Sequence, residues 1–302
     1  MKDLDMKALK NFGISGVNSI VRIEDKDMWR IDDKYFCKTY KDLDCLERVL
    51  LIYNELHETE VPIAVYNKTN TGELYTEFEG LYYTLMDKAA GSHIDYQKDA
   101  DMFSFGKDFA KLHIGLKNLT EKIKCDIINA DLMEQLNGWI IKEITEKNLE
   151  VRKEIIDYCM NFDELYHKLP RQIINRDPHG ENILFENGKV SAFLDFDIGE
   201  VNARLFDICY CMDLGHGKNI DEIIKQSEKW FDIFKKFLSG YNSVSEFKDE
   251  ELKALPYMLI SIQLLTVAFI SSDKVKAARE SAYLNWLYDN RNRILFSQQD
   301  MR

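Results

Sequence analysis

The stretch from residue 171 to 197, RQIINRDPHGENILFENGKVSAFLDFD, decides how the chain is read. Two apolar runs, ILF and VSAFL, flank Glu186-Asn187-Gly188-Lys189. Asn-Gly between such runs is a strong hairpin signal, because both residues tolerate the positive φ of a tight turn. A strand–turn–strand of this length brings Asn182, at its start, beside Asp195, at its end. An amide oxygen and a carboxylate are hard donors suited to Mg²⁺, which keeps other positions for water and phosphate oxygens. Asp177 opens the PHGEN loop and is placed to meet an incoming nucleophile as base or orienter. Positioned metal, positioned nucleophile and neutralised phosphate charge are what phosphoryl transfer mainly requires.

Working outward, the first ninety residues read as a small twisted antiparallel sheet with one helix. SIVRI, MWRID and DDKYFCKTY carry strand patterns, and ELYTEFEG and LYYTLMDKA follow later. Between them, Leu46, Val49, Leu50, Tyr53 and Leu56 recur at helical spacing, with Asp42 or Asp44 as N-cap. After Gly91 the pattern turns helical: DMFSFGKDFAKLHIGLKNL, then most of 131–167, then Phe206 to the end, with Gly215, Gly217, Gly240 and Pro256 as punctuation. The expected fold class is α+β: a small antiparallel-sheet N-terminal lobe, residues 1–87, and a larger, mainly helical C-terminal lobe, residues 88–302, with the hairpin embedded in it.

Composition narrows the function classes. The 302 residues carry a net charge of −12, which disfavours a nucleic-acid partner because phosphate contacts need clustered Lys and Arg. The six cysteines show no zinc-ligand spacing, and a reduced, cytoplasmic setting follows. The N-terminus has no apolar signal core. The longest apolar stretch, Leu255 to Ile270, is broken by Pro256, Ser261 and Gln263 and reads as too short to span a bilayer, so no membrane partner is expected.

Asn175-Arg176-Asp177-Pro178-His179-Gly180-Glu181-Asn182, followed by Leu194-Asp195-Phe196-Asp197, resembles the catalytic and metal motifs of the aminoglycoside phosphotransferase/choline kinase family. That family has a bilobal, protein-kinase-like fold. The resemblance covers nearly the whole chain. Gly13 to Ser19 resembles its phosphate-covering loop, and Tyr35-Phe36-Cys37-Lys38 its lysine strand. Tyr83 to Asp87 resembles the strand entering the hinge, Phe109 to His113 its Leu-His helix, and Arg204 to Asp207 the segment that buttresses the catalytic loop.

The resemblance implies roles. Asp177 orients or deprotonates the acceptor hydroxyl, and Asn182 and Asp195 hold Mg²⁺. Lys38 neutralises the triphosphate of ATP or GTP, and the backbone of Ser15, Gly16, Val17, Asn18 and Ser19 covers it. Backbone groups near Asp87 and Ala89 receive the base. Glu47, or alternatively Glu55, pairs with Lys38 from the helix. Asp197 adds to the metal site, faces the substrate or is a solvated acid.

Two departures matter. Asn175-Arg176 replaces the family's usual His-Gly, and Arg176 is expected to pair with a local carboxylate. Only eleven residues lie between Asp195 and Asp207, too few for an ordinary peptide-docking segment, so the expected partner is a small-molecule hydroxyl acceptor. Glu200, Asp213, Glu246, Asp249, Glu250 and Glu251 suggest a wall for a cationic acceptor: an aminoglycoside, an aminoalcohol or an amino sugar. The C-terminus, SQQDMR, lacks the acidic-aromatic ending of some aminoglycoside-modifying members, and homoserine and methylthioribose stay open. The rival reading is a catalytically silent kinase-like binding or structural protein of the spore-coat type.

Overall fold

The strand-patterned segments of the N-terminal third form one antiparallel sheet in the computed structural model, which describes residues 6–23, 26–93, 100–122, 131–212 and 224–296. Helix α1 (Met6–Asn11) precedes β1 (Ile20–Arg22), β2 (Met28–Ile31) and β3 (Tyr35–Tyr40). Helix α2 (Leu43–His57) then leads to β4 (Tyr75–Phe78) and β5 (Leu81–Asp87), and the spatial order is β1-β2-β3-β5-β4. Cys37 of β3 pairs with Trp29 on one side and Leu85 on the other, so one sheet face packs Trp29, Ile31, Cys37, Tyr83 and Leu85 over Ala8 and Leu9 of α1. Asp42 caps α2 by accepting from the Asp44 amide. Leu46, Val49 and Leu50 pack with Tyr40, while Ile52 and Leu56 join the large C-terminal core. One amphipathic helix therefore ties both parts of the molecule together.

The chain leaves β5 and is clamped to the hairpin. Ser92 exchanges backbone hydrogen bonds with Phe185 at 3.0 and 2.9 Å. Gly91 has φ +95°, and a Cβ there would lie 2.6 Å from the Phe185 carbonyl oxygen, so only glycine lets the backbones meet.

Helix α3 (Met102–Lys122) begins the helical region, followed by α4 (Leu132–Gln135), a π-helical turn (Leu136–Ile140), α5 (Ile141–Glu146), α6 (Lys153–Met160) and α7 (Asp163–Tyr166). Strand β6 (Arg171–Ile174) enters the catalytic loop, and β7 (Ile183–Glu186) and β8 (Lys189–Phe193) form the hairpin. Asn187 and Gly188 both have positive φ, 52° and 77°, as its two-residue turn requires. Strand β9 (Glu200–Ala203) pairs antiparallel with β6 and runs into α8 (Arg204–Met212). The last helices are α9 (Ser227–Asn242), α10 (Asp249–Phe269), α11 (Lys274–Asp289) and α12 (Arg291–Ile294).

Two punctuation residues are corrected. Gly240 does not end a helix; it lies inside α9, where a Cβ would come 2.0 Å from the Phe103 carbonyl oxygen of α3, and Gly106 makes the reciprocal approach to Phe237. These glycines allow the α3–α9 crossing, which Phe105, Phe109 and Phe237 fill with tilted and edge-on rings at 5.0 and 5.6 Å. Pro256 is likewise buried within α10. That helix runs 21 residues and is long and apolar enough to cross a membrane, overturning the reading from length; 78% of its apolar window is buried in the fold. Gly215, Gly217, Cys125 and the SQQDMR terminus lie outside the described residues.

Candidate active site

The catalytic loop is held from beneath by one buried carboxylate. Asp207, fully buried on α8, accepts from the Asn175 amide at 2.7 Å and the Arg176 amide at 2.9 Å. His113 Nε2 lies 3.4 Å from the same carboxylate, and its Nδ1 meets the Tyr241 hydroxyl at 2.9 Å, so this histidine is structural. Arg176 turns the chain with φ 77° and sends its guanidinium to Glu200 at 2.9 Å, over the Phe206 ring. The local pairing expected for Arg176 is what forms.

Asn175 does more than replace a histidine. Its Oδ1 accepts from the Asp177 amide at 3.0 Å and its Nδ2 donates to the Asp195 carbonyl at 3.0 Å, tying the catalytic loop to the metal motif. Asp177 Oδ1 accepts from the Tyr210 hydroxyl at 2.9 Å, and its Oδ2 lies 3.3 Å from both His179 Nε2 and Asn182 Nδ2. The Asp177 carboxylate raises the His179 pKa, with burial opposing. Asn182 Nδ2 also donates to the Asp177 carbonyl at 2.9 Å, which leaves its Oδ1 as the amide's acceptor atom. Ile183 pairs with Phe193 and the Leu194 amide donates to the Asn182 carbonyl at 2.8 Å, so Asn182 and Asp195 flank the same end of the hairpin.

Lys38, at the middle of the sheet on β3, reaches this end. Its Nζ lies 3.0 Å from Asp195 Oδ1 and 2.6 Å from Asp197 Oδ2, and Tyr40 donates to the other Asp197 oxygen at 3.1 Å. Burial pulls the Lys38 pKa down, but the two carboxylates outweigh it and hold it above the usual value. The expected helix partner is therefore corrected. Glu47 is exposed on α2, and Glu55 is bridged to Lys122 at 2.6 Å. Cys45 stands nearer the site, with its Sγ 3.7 Å from the Asp197 carbonyl oxygen.

A cleft of about 490 Å³ runs between sheet and hairpin, with apolar walls from Phe36, Ile63, Tyr66, Met86, Leu184 and Phe193. Lys38, Asn182, Asp195 and Asp197 lie on it, as do Asp87 and Ala89 beyond β5. The Asp87 amide is spent on Val65 at 2.9 Å and its carboxylate on Asn67 at 2.8 Å.

None of the five residues expected to cover the triphosphate lines the cleft. Ser15, Gly16, Val17, Asn18 and Ser19 precede β1, and the Asn18 and Ser19 amides donate to Asp32 Oδ1 at 2.8 and 2.7 Å. The cleft is lined instead by Ile23 and Lys26 of the β1–β2 connection and by Met28 at the start of β2. That connection, IEDKD, has no glycine.

The acidic wall dissolves in part. Glu200 is paired with Arg176, and Glu251, fully buried, takes Arg204 through both oxygens at 2.7 Å. Glu246, Asp249 and Glu250 are exposed, and Asp213 lies outside the described residues. Among the described residues no group of three His, Cys, Asp or Glu side chains is arranged to hold a metal by itself. The donors present, one amide and one carboxylate with a second nearby, fit an Mg²⁺ that arrives with nucleotide and keeps phosphate and water ligands.

A sequence profile of the phosphotransferase enzyme family, APH, matches residues 19–239. The chain belongs to this family. A homoserine kinase from Methylobacillus flagellatus is 23% identical over 220 residues, covering 71% of this chain and 64% of that relative. Among solved structures, an aminoglycoside phosphotransferase from Alicyclobacillus acidocaldarius superposes with a TM-score of 0.67 at 11% identity, covering 97% of each chain. An amicoumacin kinase in complex with AMP-PNP, Ca²⁺ and Ami gives 0.60 at 14% identity, covering 90% of this chain and 87% of that one. At these identities the structures establish the protein-kinase-like fold: an antiparallel-sheet N-terminal part and a helical C-terminal part.

Proposed function

We propose that this phosphotransferase-family chain moves the γ-phosphoryl group of ATP or GTP to a hydroxyl of a small molecule. The convergence of Lys38, Asn182 and Asp195 from three segments on an apolar cleft, with Asp177 in contact with Asn182, carries the reading. In this reading residues 1–87 bind the nucleotide and residues 88–302 supply catalysis and the acceptor site. The base lies between the apolar walls near Asp87 and Ala89, and Lys38 sets a fixed positive charge beside the phosphates. Asn182 and Asp195 would hold Mg²⁺, which when bound supplies charge neutralisation on the phosphate oxygens. Asp177 orients the acceptor hydroxyl and takes its proton as the oxygen attacks phosphorus and the nucleoside diphosphate leaves.

A small acceptor is supported by what fills the interval after Asp195. Strand β9 and α8 begin within ten residues of it, leaving no length for a peptide-docking segment. The kinship with a homoserine kinase and the likeness to an amicoumacin kinase support the same class. Cys37, Cys45, Cys159 and Cys211 are free thiols, in keeping with a cytoplasmic setting. The test is incubation with MgATP or MgGTP and a panel of homoserine, aminoalcohols, aminoglycosides and sugars, reading phosphorylated acceptor. Nucleotide binding without transfer to any hydroxyl would leave the silent-protein reading in its place.

A further inference from the structure

We infer that Tyr210 is a positioning residue for the acceptor-facing carboxylate of Asp177, an inference that rests on the function proposed above. Helix α8 carries Asp207 and Tyr210 three residues apart, and side chains at that spacing share a helix face. Asp207 fixes the catalytic loop through two backbone amides, those of Asn175 and Arg176. Tyr210 fixes the same loop through its working side chain, donating to Asp177 Oδ1 at 2.9 Å. That bond is shorter than the 3.3 Å contacts that His179 and Asn182 make with Oδ2. Those two groups belong to the same loop as Asp177 and move with it, whereas Tyr210 reaches in from the helical core.

The phenol is well suited to this task. Its ring lies parallel to Phe206, with centroids 5.9 Å apart and planes 17° apart, and Phe206 in turn is fully buried and capped by Arg176. The hydroxyl is thus delivered by a stiff side chain from a buried support. A carboxylate that must meet an acceptor hydroxyl in line with a phosphoryl group loses rate steeply when its angle drifts. Tyr210 removes that freedom by pinning one oxygen from outside the loop. Cys209 and Cys211 on either side of it are buried in the core, whereas the Tyr210 hydroxyl reaches Asp177.

Tyr210→Phe keeps the ring and deletes only the hydroxyl. With the full chain, MgATP and the acceptor panel above, the expected result is a fall in kcat of about tenfold or more. KM for ATP and the affinity for MgADP by calorimetry should stay within about twofold, since neither Tyr210 nor Asp177 lines the nucleotide cleft. In an Asp177→Ala background the same substitution should leave the residual rate unchanged, because Tyr210 acts through that carboxylate. Wild-type kcat in Tyr210→Phe, or an equal fold-loss in both backgrounds, overturns the inference while the proposed function stands. Absence of transfer by the wild-type chain despite MgADP binding overturns the function, and this inference with it.

Discussion

Lys38 Nζ lies 2.6 Å from Asp197 Oδ2, so the lysine of β3 is anchored by an acid just past the hairpin rather than by helix α2. Tyr40, two residues along the same strand, holds the other oxygen of Asp197 and places its ring 5.3 Å from the ammonium. The anchor therefore spans sheet and hairpin.

Glu47→Ala should accordingly leave KM for ATP within about twofold. Asp197→Asn removes a charge-assisted contact to a largely buried ammonium and should raise KM by about tenfold or more. Steady-state kinetics on the two variants decides it; the opposite ranking restores the helix glutamate as partner.

The covering segment is open to an equally simple comparison. A Cβ on Gly16 meets nothing within 4 Å, so Gly16→Ala should be silent in nucleotide affinity. Lys26 is exposed on the cleft wall, and Lys26→Ala should weaken MgATP binding by about fivefold, the scale of one solvent-screened charge pair. A large effect at Gly16 with none at Lys26 would return the role to residues 15–19.

Stability below neutral pH should depend on His113. Burial holds its pKa below the usual value, against the Asp207 carboxylate, with Arg204 lowering it further and Glu251 raising it; its Nδ1 faces Tyr241. The unfolded chain therefore binds a proton that the folded chain refuses, and stability falls as pH drops from about 6.5 toward the lowered folded value. His113→Gln should flatten that part of a urea-midpoint profile between about pH 7 and 5. An unchanged slope would mean the acid loss arises elsewhere.

The Arg204–Glu251 pair should show the asymmetry of a buried ion pair. Glu251 also accepts from the Lys248 amide at 2.9 Å, starting α10. Glu251→Gln should cost about 3 kcal/mol by leaving the guanidinium underpaired, and Arg204→Met with Glu251→Met should recover part of it in denaturant titration. A double variant worse than the sum of the singles would contradict this.

The hairpin, its Asn-Gly turn and the strands around Lys38 were legible because local pattern and turn chemistry fix them. So was the placement of Asn182 beside Asp195, which follows from strand length. What the sequence concealed is set by tertiary approach. Gly240 looked like a helix stop because nothing local reveals that α3 lies against it. Glu47 looked like a lysine partner because spacing gives a helix but not its rotation toward the cleft. Strand β9 and the hydroxyl of Tyr210 gain meaning only when β6 and α8 come together beneath the loop. The β1–β2 connection on the cleft gave no local signal, because IEDKD carries no glycine.

The most direct test of the phosphotransfer site is the Asp177→Ala variant, assayed for phosphate transfer to any acceptor found for the wild type, alongside calorimetric MgATP affinity. Transfer should fall by about 10²- to 10⁴-fold, the range for a removed general base, while MgATP affinity stays within about twofold. Equal turnover by wild type and variant would contradict the assignment of Asp177 and, with it, the site built around it.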